Sequence, residues 1–256
     1  MSFVVSSWTE VLSPMLTSLK RYYDAQMMRP GLPGLFINPF YFARKGLYES
    51  VCRLAPHITG RVLDVGCGSQ PYRPLFMAVE YIGMELDTPE NRAHKQADVF
   101  YGGQVFPFDS ESFDSLVCNQ VLEHVFTPTE FVRELNRVLK PGGHLLLTVP
   151  FVWDEHEQPY DYARYSSFGL LALITGAGFE VVEHVKTMSD VRVLCQLVNA
   201  YLYKVTVHKN QYLNLFSTLL LMAPINLLGA IGRFMTPSNP DLYLDNVILA
   251  KKVDHK

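Results

Sequence analysis

From Met15 onward apolar residues recur at helical spacing, as Met15, Leu16, Leu19, Tyr22, Tyr23 and Met27. Ser13-Pro14 offers a start, with serine as cap and proline in the first turn, and Pro30-Gly-Leu-Pro-Gly offers a stop. A second helix opens at Asn38-Pro39 and places Phe40, Ala43, Leu47, Val51 and Leu54 on one face. The pattern then changes to short apolar runs: Val62 to Val65, Tyr81 to Glu85, Asp114 to Asn119, His144 to Val149, Phe179 to Val185 and Asp245 to Lys252. Such runs predict strands buried on both faces. Between them, Thr127-Pro-Thr-Glu130 reads as a capping box ahead of Phe131, Val132, Leu135, Val138 and Leu139. Ser166-Ser167 caps a helix through Leu170, Leu171 and Ile174. Strands alternating with helices predict an α/β domain built on a parallel sheet.

One stretch departs from that alternation. Lys186 to Leu242 separates the last two strands, and its first half repeats apolar residues at helical spacing from Val191 to Leu202. Its second half, Leu213 to Met235, holds a single charge, Arg233, and reaches the length of a membrane span. Pro224, Asn226, Gly229 and Gly232 interrupt it, which predicts two short buried helices, and the chain has to return to finish the sheet. A lid, a homodimer face and a peripheral membrane contact through 213–235 stay open. The expected division is a helical extension over 1–58 and one domain over 59–256, with a helical insert at 187–242.

Composition narrows the class. With 256 residues, 48% of them hydrophobic, the chain can bury one large core. A formal net charge of -3 without a basic block gives no reason to expect a nucleic-acid partner. Cys52, Cys67, Cys118 and Cys195 are scattered singly, as buried thiols of a reducing compartment are. Glu10 breaks the N-terminal apolar run and no basic region precedes it, a poor signal peptide. The expected location is the cytoplasm, with membrane association left open by the insert.

The chemistry begins where the first strand breaks, at Arg61-Val-Leu-Asp64-Val-Gly66-Cys-Gly68-Ser-Gln-Pro71-Tyr72. Glycines let backbone N–H groups approach a ligand, and ligands of open α/β sheets bind beyond the carboxyl ends of the strands. A dinucleotide fingerprint would place a third glycine where Pro71 stands. Glu85, 19 residues after Gly66, stands where a nucleotide-binding sheet holds ribose hydroxyls on an acid. The run Val-Leu-Asp-Val-Gly-Cys-Gly resembles the first motif of class I S-adenosylmethionine (SAM)-dependent methyltransferases. Gln120-Val-Leu-Glu-His-Val and Leu139-Lys-Pro-Gly-Gly are similar to further segments of that family, so the resemblance covers roughly Arg61 to Pro150.

The resemblance implies a Rossmann-like sheet of seven mostly parallel strands, ordered 3-2-1-4-5-7-6 with strand 7 antiparallel, and SAM as cofactor. It implies a cradle made of Asp64, Gly66, Gly68, Glu85 and Leu86. Asp98 and Val99, taken as the segment after the third strand, would hold the adenine. Asn119 and Gln120 would line the methionine end through backbone carbonyls. Glu123 and His124 are adjacent, which makes no metal site, and no metal is expected.

After the fifth strand, Trp153 to Ser166 is dense in aromatic, acidic and imidazole groups. Its His156-Glu-Gln-Pro-Tyr160-Asp161-Tyr-Ala-Arg164-Tyr resembles a loop signature of a type 11-like bacterial methyltransferase branch. A loop leaving a strand's carboxyl end faces the reaction centre. His156 is the candidate base for an alcohol acceptor, its ordinary pKa lying near neutrality. Tyr160 would line the acceptor pocket. Asp161 and Arg164 either touch the acceptor or pair with each other and fix the loop. The reading is O-methylation of a small-molecule, sugar or glycan-type acceptor. C- or N-methylation of a natural product or lipid, and a non-catalytic SAM-binding module, are its alternatives.

Overall fold

The computed structural model describes residues 5–254, with side chains from 17 onward. The chain divides into two compact units, Met1–Lys45 with Val191–Pro237, and Gly46–Asp190 with Ser238–Lys256. In this grouping Val191–Pro237 of the insert falls with the N-terminal helices.

The helical unit begins with α1 (Val5–Met28), which runs through Ser13-Pro14 instead of starting there. The proline removes one N–H from a ladder that the turns on either side maintain. Next come α2 (Gly34–Ile37) and the first turn of α3 (Tyr41–Leu54). Helix α3 opens after Asn38-Pro39, and the Asn38 side chain holds the turn that leads into it. Its Oδ1 accepts the Phe40 N–H at 2.8 Å and its Nδ2 donates to the Gln26 carbonyl at 2.9 Å.

The sheet unit carries β1 (Thr59–Val65), β2 (Met77–Leu86), α4 (Pro89–His94), β3 (Val99–Tyr101) and β4 (Phe113–Asn119). These are followed by α5 (Pro128–Val138), β5 (Leu139–Pro150), α6 (Ser167–Gly176) and β6 (Phe179–Lys186). The helical unit then resumes with α7 (Arg192–Thr206), α8 (Gln211–Ser217), a π-helical turn at Thr218–Met222 and α9 (Ala223–Gly232). Strand β7 (Asp245–Lys252) closes the sheet.

The sheet order is β3-β2-β1-β4-β5-β7-β6, with β7 antiparallel to both neighbours, as the resemblance implies. Period-two alternation splits each central strand between two cores. Leu63, Leu116, Leu145 and Ile248 pack with Phe131 and Leu135 of α5 and Leu170 of α6. Val62, Val117, Leu146 and Leu249 pack with Leu47, Val51 and Leu54 of α3. Helix α6 is capped by Ser166, whose Oγ accepts the Gly169 N–H. The capping box at α5 does not form, because Thr127 at ψ 71 makes no side-chain cap bond.

The insert is the larger correction. Instead of two short buried helices, Gln211–Gly232 is one helical run of 22 residues, and only 28% of its most apolar window is buried. Pro224 does not break it, because the wide turn at Thr218–Met222 immediately precedes the proline and accommodates the lost bond. Asn226 and Gly229 mark close contacts, not breaks: a Cβ on Gly229 would stand 2.7 Å from the Phe42 ring.

Candidate active site

The turn after β1 is fastened and open at once. Gly66 has φ +68, and a Cβ there would stand 2.4 Å from a Val121 methyl, so the turn presses on the exit of β4. The N–H groups of Gly66 and Cys67 donate to the Met84 carbonyl of β2 at 2.9 and 3.1 Å. Gly68 has φ +53, and a Cβ there would meet nothing within 4 Å. Its N–H donates to Glu85 Oε2 at 3.1 Å, while Glu85 Oε1 accepts the Leu86 N–H at 3.0 Å. Gly66, Gly68, Glu85 and the Leu86 backbone are thus brought together beyond the ends of β1 and β2.

Asp64 belongs to the floor of this site. It is 4% exposed, and its carboxylate accepts the Tyr81 hydroxyl at 2.7 Å. Burial pushes its pKa up to about 7, against the pull of the Tyr81 bond and with a smaller push from the Glu85 charge. Tyr81 went unnoticed in sequence, although a tyrosine on the neighbouring parallel strand is a natural partner for a buried acid.

The other wall comes from the end of β4. Gln120 holds a positive φ of 53, a conformation that costs a residue with a side chain about 1–3 kcal/mol. The buried Thr148 of β5 holds it there. The Gln120 N–H donates to the Thr148 carbonyl at 2.9 Å, and the Gln120 Nε2 donates to the Thr148 hydroxyl at 3.2 Å. That hydroxyl donates to Asn119 Oδ1 at 3.3 Å. Thr148 was also missed, and its signal was a lone hydroxyl in the apolar run Leu145 to Val149.

Asp98 and Val99 do not occupy the position expected of them. Asp98 precedes β3 instead of following it, and its Oδ2 accepts the Gly83 N–H at 2.8 Å, which ties it to β2. Val99 is the first residue of β3 and packs on the hydrophobic core. The segment that leaves β3 is Gly102-Gly103, where no acid stands.

The loop after β5 is stitched to the segment after β4. The N–H groups of Tyr162 and Ala163 donate to the Glu123 carbonyl at 2.9 and 3.2 Å, and His124 Nδ1 lies 2.9 Å from the Tyr160 carbonyl. Asp161 and Arg164 pair with each other through two contacts of 2.6 Å. The guanidinium also donates to the Ala163 and Asp154 carbonyls, each at 2.8 Å, and Asp161 accepts the His156 N–H at 2.9 Å. Arg164 accordingly holds the Asp161 pKa down at about 2. Of the two roles left open for this pair, the geometry is that of a clamp fixing the loop.

That clamp sets the His156 ring. Its Nδ1 lies 3.2 Å from the Asp154 carbonyl, 3.4 Å from Asp161 Oδ2 and 3.4 Å from Arg164 Nη2. Nδ1 is thus enclosed by the loop's own groups, which leaves Nε2 as the ring nitrogen away from the clamp. The His156 and His124 rings meet edge to face at 4.9 Å. Tyr160 keeps its ring 62% exposed. Beside these rings Glu123 is fully buried, and neither carboxylate oxygen has a hydrogen-bond partner. Burial pushes its pKa up to about 8. The fold adds His156 to the adjacent Glu123 and His124, so the three offer ligand atoms within 4.8 Å of one another, a grouping that sequence spacing concealed. Within this group His124 Nε2 stands 3.8 Å from Glu123 Oε1, and a carboxylate with two imidazoles is a donor set of the kind that ligates zinc.

A glycine turn opposite a strand-end acid, next to a histidine loop, can be compared with known proteins. Residues 63–147 match the model of the methyltransferase domain family. These residues form a class I SAM-dependent methyltransferase domain. A probable SAM-dependent methyltransferase of Mycolicibacterium smegmatis is 32% identical over 165 residues, covering 59% of this chain and 63% of that protein. A probable SAM-dependent methyltransferase of Mycobacterium tuberculosis is 31% identical over 162 residues, 58% of each chain. The chain spans between 38% and 63% of the length of the first of these curated relatives.

Among solved structures, the cyclase SpnF superposes with a TM-score of 0.54 at 18% identity, covering 82% of both chains. A Haemonchus contortus phosphoethanolamine N-methyltransferase in complex with S-adenosylhomocysteine superposes with a TM-score of 0.52 at 18% identity, covering 91% of this chain and 57% of that one. At these identities the likeness is one of fold. The cofactor of this domain family is SAM, and the site fits it: Gly68 leaves open space, and Glu85 offers a carboxylate beside it.

Proposed function

We propose that this chain is a SAM-dependent methyltransferase that methylates an oxygen of a small-molecule, sugar or glycan-type acceptor. The observation that carries the reading is the open Gly68 turn facing Glu85, on the same sheet whose β5 loop supports His156. SAM, when bound, supplies an electrophilic methyl group. Glu85 would accept the ribose hydroxyls, and the Gly66–Gly68 backbone would admit the cofactor without side-chain obstruction. Asn119 and Gln120, held by Thr148, face the methionine end. The acceptor hydroxyl gives its proton to His156 Nε2, while Asp161 and Arg164 keep the ring in place. Tyr160 offers the exposed aromatic surface on which an acceptor ring rests.

Calorimetry with SAM tests the first half. Glu85→Ala should weaken binding at least about tenfold, a loss of one charge-assisted pairing. Gly68→Ala should do the same by filling the cradle, and unchanged affinity in both variants overturns the cofactor site. Mass spectrometry of candidate acceptors incubated with labelled SAM tests the second half. His156→Ala should lower turnover by about 10²–10⁴ at unchanged SAM affinity. Full turnover in that variant removes the base.

A further inference from the structure

The helical unit wears its polarity inside out. Asn38, Gln196, Asn199 and Asn226 are fully buried. They join segments through hydrogen bonds of their side-chain amides: Asn226 Nδ2 donates to the Leu35 and Asn38 carbonyls at 3.0 and 3.1 Å, and Asn199 Nδ2 donates to Asn226 Oδ1 at 2.9 Å. Gln196 Oε1 accepts the Phe42 and Ala43 N–H groups at 3.0 and 3.2 Å, closing the start of α3. Outside, Phe216, Leu220 and Leu228 are 61%, 59% and 66% exposed. Polar residues between helices with leucines outward is the arrangement that a lipid environment favours and water penalises.

Charge identifies which lipid. From Val191 to Pro240 the chain contains no Asp or Glu, while Arg192, Lys204, Lys209 and Arg233 are cationic. An anionic bilayer surface complements this segment. A second copy of the same face would bring these cations together with no acid of the segment to meet them. Length decides how the unit sits. Helix α7 has 15 residues, about 22 Å, short of the ~30 Å hydrocarbon core, so it cannot make one crossing of an α7–α8 hairpin. A span would also carry Lys204, His208 and Lys209 into hydrocarbon.

We propose that the outward face of Gln211–Gly232 docks in the plane of an anionic lipid bilayer, with its flanking cations at the headgroups. This docking does not depend on the methyl-transfer reading.

Flotation of the purified full chain with vesicles of phosphatidylcholine alone, or mixed equally with phosphatidylglycerol, tests it. The wild type should float with the anionic vesicles and be released in part by salt. The double variant Leu220→Glu with Leu228→Glu should lose at least about tenfold in bound fraction, while its melting temperature and SAM affinity stay unchanged. Lys209→Glu should weaken binding to the anionic vesicles only. A wild type that stays monomeric and unbound overturns the proposal. So does a double variant that still floats, or a homodimer that the double variant dissociates while vesicles go unbound. Retention in membranes through alkaline carbonate would show a span and overturn docking in the plane.

Discussion

The two units solve opposite solvation problems with the same amino acids. In the sheet unit, leucine and valine alternate into two cores and are hidden: Leu116, Leu145, Leu146 and Leu147 have no exposure. In the helical unit, Leu220 and Leu228 face outward while Asn199 and Asn226 lie in the interior. Water alone accounts for the first arrangement, because burying apolar surface is worth about 25 cal/mol per Å². The second is the arrangement that the proposed docking on lipid would explain. The division also separates tasks, since the glycine turn, Glu85 and the histidine loop all belong to the sheet unit.

The comparison is open to attack at matched leucines. Leu146→Ala removes a fully buried side chain of β5 and should cost about 2–5 kcal/mol in urea unfolding. Leu228→Ala, at a position 66% exposed, should change stability in vesicle-free buffer by no more than about 0.5 kcal/mol. Similar losses at the two positions would break the contrast, because they would mean that Leu228 already has a cover in water. A middle value should come from Asn226→Ala. It strips the Asn226 bonds from the Leu35 and Asn38 carbonyls and leaves the Asn199 amide only the Met222 carbonyl, at about 1–3 kcal/mol of stability for leaving such groups buried and unpaired. A negligible loss there would show that the amides are not what holds the helical unit together.

How much of this was legible in the sequence follows the range of the interactions. Strand β7 was readable to its ends, Asp245 and Lys252, because an apolar run bounded by polar residues is a local signal. The glycine turn and Glu85 were readable for the same reason, since each sits at the end of its own strand. Asp98 was misplaced because β3 is only three residues long and too short to show a period. The insert was misread because Pro224 and Gly229 look like breaks to a local rule, whereas a π-helical turn and a close contact with Phe42 absorb them. The histidine cluster was illegible by spacing, because the bond that draws the loop in spans 36 residues, from His124 to the Tyr160 carbonyl.

A pH-dependent effect sharpens the comparison from the polar side. Asn226 and Gln196, buried in the helical unit, are neutral and paired, whereas Glu123 of the sheet unit is buried with neither oxygen bonded. Its pKa in the folded chain is about 8 against an ordinary 4.5. Between those values the folded chain holds a proton that the unfolded chain has released. Stability from this group is therefore complete below pH 4.5 and is lost as pH rises through 8. Glu123→Gln keeps the shape and cannot ionise, so it should match the wild type at pH 5 and be more stable at pH 9. Its advantage is capped at about 1.4 kcal/mol for each pH unit that separates the folded and unfolded values. Melting curves of both proteins across this range read the difference. A wild type whose stability relative to Glu123→Gln does not fall with rising pH would mean that the carboxylate is charged and paired in the folded chain. The sheet unit's buried polar group would then be satisfied as Asn226 and Gln196 are in the helical unit.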